Sequence, residues 1–175
     1  MEGLTFEEIT YEGIGPGGVG ILVDVVTDNR NRTAGEVRKI FERGGGKMGS
    51  AGNVAFRFER KGLFSVNADA TDEDTLMGIA LDAGADDMKR AGSTFEITCD
   101  PGHYNKIVEA VAESKLHVAS SEIGLLPKSR VDAPDVETAM KACRLIEALD
   151  EHDDVQNVYS DLNMSEELMA EVAKE

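Results

Sequence analysis

Two overlapping frames, Gly13-x-Gly15-x-x-Gly18 and Gly15-x-Gly17-x-x-Gly20, carry the spacing of a dinucleotide-binding fingerprint. That spacing holds a pyrophosphate only where a strand precedes it and a helix N-terminus follows, so that free N–H groups and the helix dipole meet the negative charge. Here Val19 to Val26 follows, apolar except for Gly20 and Asp24, which reads as a buried strand. No Gly-Lys-Ser/Thr ending makes the run a P-loop. It is read as a turned loop centred on Gly15, Gly17 and Gly18, with no cofactor expected. His103, His117 and His152 show no metal-ligand spacing with one another or with Cys99 and Cys143, so no metal is expected and they read as surface or turn histidines. Ser50 lacks the Gly-x-Ser-x-Gly elbow of a hydrolase nucleophile. Asp86-Asp87 and Asp153-Asp154 are adjacent carboxylates after helices and read as solvated turn residues. No nucleophile, base and orienter come together, there are no catalytic candidates, and the chain reads as a non-enzyme.

The chemistry that remains is electrostatic. Asp28-Asn29-Arg30-Asn31-Arg32-Thr33 lies between a strand end and a helix start. Arg30 and Arg32, flanked by Asn29 and Asn31 and beside free helix N–H groups, suit phosphate oxygens. The same residues serve equally well structurally, with Asp28 paired to an arginine and Asn31 shaping the turn. Arg38, Arg57, Arg60 and Lys61 would extend a basic patch, although the odd spacing of Arg57 and Arg60 need not put them on one face.

Charge is distributed unevenly. The formal net charge is -16, yet residues 1–62 hold nine Lys/Arg against nine Asp/Glu, while residues 63–175 hold nine against twenty-five. Phosphate contact draws its energy largely from counterion release and needs local positive potential, which only the first third offers. The acidic remainder repels a polyanion and reads as a solvated surface or, alternatively, as a module for a basic protein partner.

The elements that position these residues follow from periodicity. An opening strand over Thr5–Tyr11 and the strand over 19–26 lead to a helix with Val37, Ile40 and Phe41 on one face. A capping box, Thr33-Ala34-Gly35-Glu36, starts it and Gly44-Gly45-Gly46 ends it. Val54, Phe56 and Phe58 alternate with polar or small residues and predict a strand with one buried face; residues 62–67 predict another. The middle segment predicts a helix over Thr71–Ala83, capped by Thr71 and Asp74, a strand over Thr94–Cys99, a helix opened by Asp100-Pro101, and a strand over His117–Leu126. Asp135 caps a last long helix with Val136, Ala139, Met140, Cys143, Ile146 and Leu149 as its stripe. A strand over Val155–Leu162 and a short helix from Ser165 follow.

This order predicts an α+β fold of two small ferredoxin-like α/β sandwiches, the second inserted into the first. Residues 1–62 plus 129–175 make the outer domain, if a strand near Ser129–Val131 contributes, and residues 63–128 make the insert. Two distant cysteines suggest reduced thiols. Met1 to Thr10 carries Glu2, Glu7 and Glu8 and no basic n-region, so no signal peptide is expected and no apolar stretch is long enough for a membrane; a cytoplasmic location follows as the expectation.

Four stretches say more. Tyr11-Glu12-Gly13-Ile14-Gly15-Pro16-Gly17-Gly18-Val19 with Thr27–Thr33, Gly49-Ser50-Ala51-Gly52-Asn53-Val54-Ala55-Phe56, Phe58-Glu59-Arg60-Lys61-Gly62, and Asp153-Asp154-Val155-Gln156-Asn157-Val158-Tyr159 resemble the signature of the YebC/PmpR family over nearly the whole chain. The resemblance implies a YebC-like regulator of gene expression, described either as DNA-binding in transcription or as a translation factor relieving stalling on the ribosome; a mitochondrial translational activator belongs to the same group. It implies partners among DNA, rRNA or tRNA, and the ribosome. It also implies an N-terminal helical domain ahead of two α/β domains. The strongly basic first domain, with its Gly-His-Ser-Lys-Trp-like opening, has no counterpart here, so the chain is expected to represent the second and third domains.

Overall fold

The computed structural model describes residues 5–174; residues 1–4, part of the acidic opening segment read above, and 175 lie outside the described residues. In chain order the elements are β1 (Glu7–Ile14), β2 (Gly20–Thr27), α1 (Arg30–Arg43), β3 (Lys47–Met48), β4 (Phe58–Asn67), α2 (Glu73–Asp82), β5 (Asp87–Ala91), β6 (Thr94–Cys99), α3 (Tyr104–Glu113), β7 (Val118–Pro127), α4 (Val136–Asp150), β8 (Val155–Ser160) and α5 (Glu166–Val172). The fold is α+β, with two four-stranded antiparallel sheets. The chain forms two compact units, one from Met1–Phe58 with Pro127–Glu175 and one from Glu59–Leu126.

In the first unit the strand order is β3-β1-β2-β8. β1 and β2 form a hairpin from Glu7↔Thr27 to Ile14↔Gly20, and β8 pairs with the other edge of β2. A strand flanked on both sides and covered by helices must be apolar along its length, and β2 is: Ile21, Val23 and Val25 are at most 1% exposed. They meet Val37 and Phe41 of α1 and Ala139, Ala142, Leu145 and Leu149 of α4 in one cluster. Truncating Phe41, fully buried, to alanine would cost about 3–5 kcal/mol.

The second unit has the order β5-β6-β4-β7, the split βαβ arrangement in which β4 lies between β6 and β7. Phe64, Val66, Phe95, Ile97 and Cys99 of the sheet pack on Leu76, Ala80, Ile107 and Val111 of α2 and α3, and Phe64 stacks on Tyr104 with ring centroids 5.0 Å apart.

Several local expectations are corrected. Residues 55–57 form a single 3₁₀ turn rather than a strand, because Val54 and Phe58 are buried while Phe56 between them is 66% exposed. The α1 cap is Asn29, whose side chain accepts the Arg32 N–H at 3.1 Å; Thr33 is already inside the helix with its hydroxyl committed elsewhere. The α2 cap is Asp72. The segment near Ser129–Val131 contributes one isolated parallel bridge, Val131↔Leu162, rather than a strand. β5 was not foreseen, since only Met88 of its five residues is buried. Cys99 and Cys143 form no disulfide.

Candidate nucleic-acid interface

One end of the first unit gathers three loops. The hairpin turn after β1 runs through Pro16–Gly18, where Gly17 and Gly18 adopt φ of 80° and 79°, a left-handed conformation that glycine takes without steric cost. β2, not a helix, follows it, so the fingerprint spacing lacks the helix N-terminus that phosphate binding requires. The C-terminus of α1 arrives at the same end, and Lys47 pairs with Ile14 there.

The third loop, residues 49–57, is held by Glu12. This β1 glutamate is 6% exposed, and its two oxygens accept three backbone N–H groups, from Gly52 at 2.6 Å, Val54 at 2.8 Å and Ala55 at 2.7 Å. Its own carbonyl accepts the Gly49 N–H at 2.7 Å. Burial by itself would raise the Glu12 pKa, but the three N–H bonds favour the ionised form and bring it below the ordinary glutamate value. Glu12 was not singled out from sequence, because a carboxylate satisfied by backbone donors some forty residues away leaves no side-chain signature.

Arg57 closes the loop. Its guanidinium pairs with Asp161, a carboxylate only 1% exposed, and donates to the Gly18 carbonyl at 3.2 Å; Asp161 also accepts the Gly20 N–H at 2.7 Å. Gly20 makes room, since a Cβ there would lie 2.9 Å from the Arg57 Cζ. Arg57 therefore ties the loop to β2 and to the end of β8, and its charge is matched inside the fold.

At the opposite end of β2 the Asp28–Thr33 segment forms a hydrogen-bonded corner. Thr33 is fully buried; its hydroxyl donates to Asp154 at 2.7 Å and lies 2.7 Å from the Thr27 hydroxyl. Arg32 bonds Asp28 and Asp154, each at 3.2 Å. The Thr33 hydroxyl, then Arg32, hold the Asp154 carboxyl below its ordinary range. Asp154 is thus a partly buried anchor, not the solvated turn residue expected. Beside it, the His152 Nδ1 accepts the Asp154 N–H at 3.1 Å, which leaves the proton on Nε2 to donate to Glu36 at 2.6 Å. Donor atoms of Glu36, His152 and Asp154 fall within 4.8 Å of one another, and the hydrogen bonds just described already engage each of them.

The remaining cations divide clearly. Lys61 pairs with Asp86 at 2.7 Å, so Asp86 too is partnered. Arg30 meets Glu7 at 3.0 Å, but both side chains are more than half exposed, a pairing that holds the guanidinium weakly. Asn29 is spent on the helix cap, while Asn31 and Arg60 are exposed. Arg38 of α1 is exposed and makes no ion pair among the described residues, and the same holds for Lys39, Arg43 and Lys47. Lys39 and Arg43 lie one turn apart on α1, and Lys47 follows the helix end. These last three were counted in the charge of the opening third but not chosen as contacts, because only the fold reveals which cations lack a partner.

Most of the polar clusters in the two units are thus structural anchors, and several cations of the first unit are exposed. The family model described as "TACO1/YebC second and third domain" matches residues 6–162, and this chain belongs to that family. Its members here carry regulatory descriptions. A probable transcriptional regulatory protein of Rubrobacter xylanophilus is 46% identical over 168 residues, covering 96% of this chain and 67% of that protein. Another, from Koribacter versatilis, is 45% identical over 175 residues, covering 99% and 69%. The crystal structure of the conserved hypothetical protein Aq1575 from Aquifex aeolicus superposes with a TM-score of 0.85 at 39% identity, over 93% of this chain and 67% of that one. The chain thus spans about two thirds of the length of these relatives and belongs with regulators of gene expression, not enzymes. Among the described residues no helix is long and apolar enough to cross a membrane.

Proposed function

We propose that this chain regulates gene expression by contacting the phosphate backbone of nucleic acid, either DNA or the rRNA and tRNA of the ribosome, through the exposed cations of its first unit. The observation that supports this reading is the partnering of charge. Arg32, Arg57 and Lys61 are matched by carboxylates within the fold, whereas Arg38, Lys39, Arg43 and Lys47 are exposed with no ion pair among the described residues. Arg30 and the exposed Asn31 form a secondary set at the opposite end of β2, Gly15, Gly17 and Gly18 are backbone surface at the end where Lys47 lies, and Arg60 is an exposed cation of the second unit. In this reading the two compact units are the family's second and third domains, and the protein acts in the cytoplasm.

Anisotropy of labelled RNA and DNA across a salt series tests it. Each phosphate contact adds about 0.7–0.9 to the slope of log K against log salt. The triple variant Lys39→Ala/Arg43→Ala/Lys47→Ala is expected to flatten that slope by about two units. A slope identical to that of the unmodified chain would sink the reading. A second reading, an acidic module for a basic protein such as a ribosomal protein, is favoured by the concentration of carboxylates in residues 63–175; deletion of the second unit would then abolish recovery of that partner.

A further inference from the structure

One loop of the first unit presents a side chain that its own fold does not use. Loop 49–57 is anchored at one end by the Glu12 carboxylate on Gly52, Val54 and Ala55, and at the other by Arg57 on Asp161 and Gly18. The Arg57 N–H reaches back to the Val54 carbonyl at 2.9 Å, and the Arg57 carbonyl accepts the Lys128 N–H at 2.9 Å. Val54, 1% exposed, and Phe58, 5% exposed, supply the apolar anchors. Phe56 takes no part in this packing and is 66% exposed, on backbone fixed on both sides.

Its surroundings select the partner. Gly49, Ser50, Ala51, Gly52 and Asn53, which precede it in the loop, are small and exposed. From Gly44 through Phe58 the chain carries no Asp or Glu, although it has 34 of them in all, and Lys47 and Arg57 are the charges present in that stretch. A flat aromatic ring on a turn anchored at both ends offers a π face, and the carboxylates that hold that loop, Glu12 and Asp161, are already engaged by backbone N–H groups and by Arg57. Bases stack on such rings only when they are not paired within a duplex.

We propose that Phe56 is a stacking platform for an unpaired nucleobase, with Lys47 and the C-terminal end of α1 supplying the neighbouring phosphate contact. This rests on the phosphate-contact reading above and names the form of nucleic acid it takes: single-stranded, with little demand on sequence.

The test is anisotropy of fluorescein-labelled oligouridylate, oligothymidylate and a duplex of equal length, titrated with the whole chain and with Phe56→Ala, Phe56→Leu, Phe56→Trp and the triple lysine and arginine variant. Phe56→Ala and Phe56→Leu are expected to weaken single-strand binding roughly 5- to 100-fold with an unchanged salt slope, Phe56→Trp to restore it, and duplex binding to change little. Loss on both single strands, or on the RNA alone, supports the platform and tells the two sources apart. Equal binding by Phe56→Leu and the unmodified chain overturns it, as does an equal loss on the duplex. If the charge variant flattens the slope while Phe56→Ala and Phe56→Leu bind single strands as tightly as the unmodified chain, the phosphate reading stands and the stacking reading falls. If the unmodified chain binds no oligonucleotide at any salt concentration, both fall.

Discussion

The Arg57 guanidinium and the Asp161 carboxylate form an ion pair in which the acid is almost completely buried and the arginine side chain is 23% exposed. Removing one partner of a buried pair leaves an uncompensated charge, which costs roughly 3–5 kcal/mol when both are buried. Arg57→Ala is expected to lose about 2–3 kcal/mol, less than that range because water reaches the arginine. Urea midpoints with an unchanged m-value would check it, and Arg57→Ala/Asp161→Ala should regain part of the loss because the orphaned carboxylate is gone. Undiminished stability together with lost oligonucleotide binding would instead make Arg57 a phosphate contact.

Acid should loosen loop 49–57 through Glu12. Its folded pKa lies below the unfolded value, so its contribution is fully present above the ordinary glutamate pKa and disappears as pH falls through the folded one. Thermal midpoints should therefore drop from pH 7 toward about pH 3, and Glu12→Gln should make that drop smaller while lowering stability at pH 7 by about 1–3 kcal/mol. The loss at neutral pH arises because the new amide N–H₂ confronts a backbone N–H where an oxygen stood. An equal acid sensitivity in the two proteins would show that Glu12 does not carry it.

What periodicity conveys and what it hides are visible in neighbouring residues. α1 was legible from Val37, Ile40 and Phe41, and β2 from its unbroken apolar run, because both patterns are direct consequences of one buried face or two. The Val54-Phe56-Phe58 alternation misled, since the same spacing arises when a tight turn buries its ends and offers up its middle. Among the candidate contacts, Arg38 and Arg60 proved exposed while Arg32, Arg57 and Lys61 proved to be paired. Asp28, four residues from Arg32, was legible as one of its partners, whereas the carboxylates of Asp154 and Asp161 lie more than a hundred residues from Arg32 and Arg57 and no local spacing records so distant a neighbour.

Thr33 illustrates the same long-range control in a hydroxyl. It satisfies Asp154 by donating to it, which leaves the proton between the two threonine hydroxyls to come from Thr27. Thr33→Val preserves shape but removes the hydroxyl that Thr27 and Asp154 both bond, and a loss of about 1–3 kcal/mol is expected. Thr33→Ser, which keeps the hydroxyl, should lose less. Chemical denaturation of the two variants distinguishes a hydrogen-bond loss from a packing loss, and a greater loss in Thr33→Ser than in Thr33→Val would assign the effect to the missing methyl group.

The insertion of Glu59–Leu126 has a geometric consequence at its roots. The Lys128 N–H donates to the Arg57 carbonyl at 2.9 Å, so the chain leaves and re-enters the first unit at adjacent points. The buried residues of the two hydrophobic clusters divide cleanly: Val19 to Phe41 and Ala139 to Leu168 in one, Phe64 to Val111 in the other. A unit with its own core and abutting ends loses little when a long loop is replaced by a short one, because closure entropy grows only logarithmically with loop length. Replacing residues 59–126 by a few glycine and serine residues is therefore expected to leave a cooperative unfolding transition for the first unit, with a reduced m-value in proportion to the surface removed. A non-cooperative melt would mean that the first core depends on the second unit, and would place the domain boundary elsewhere.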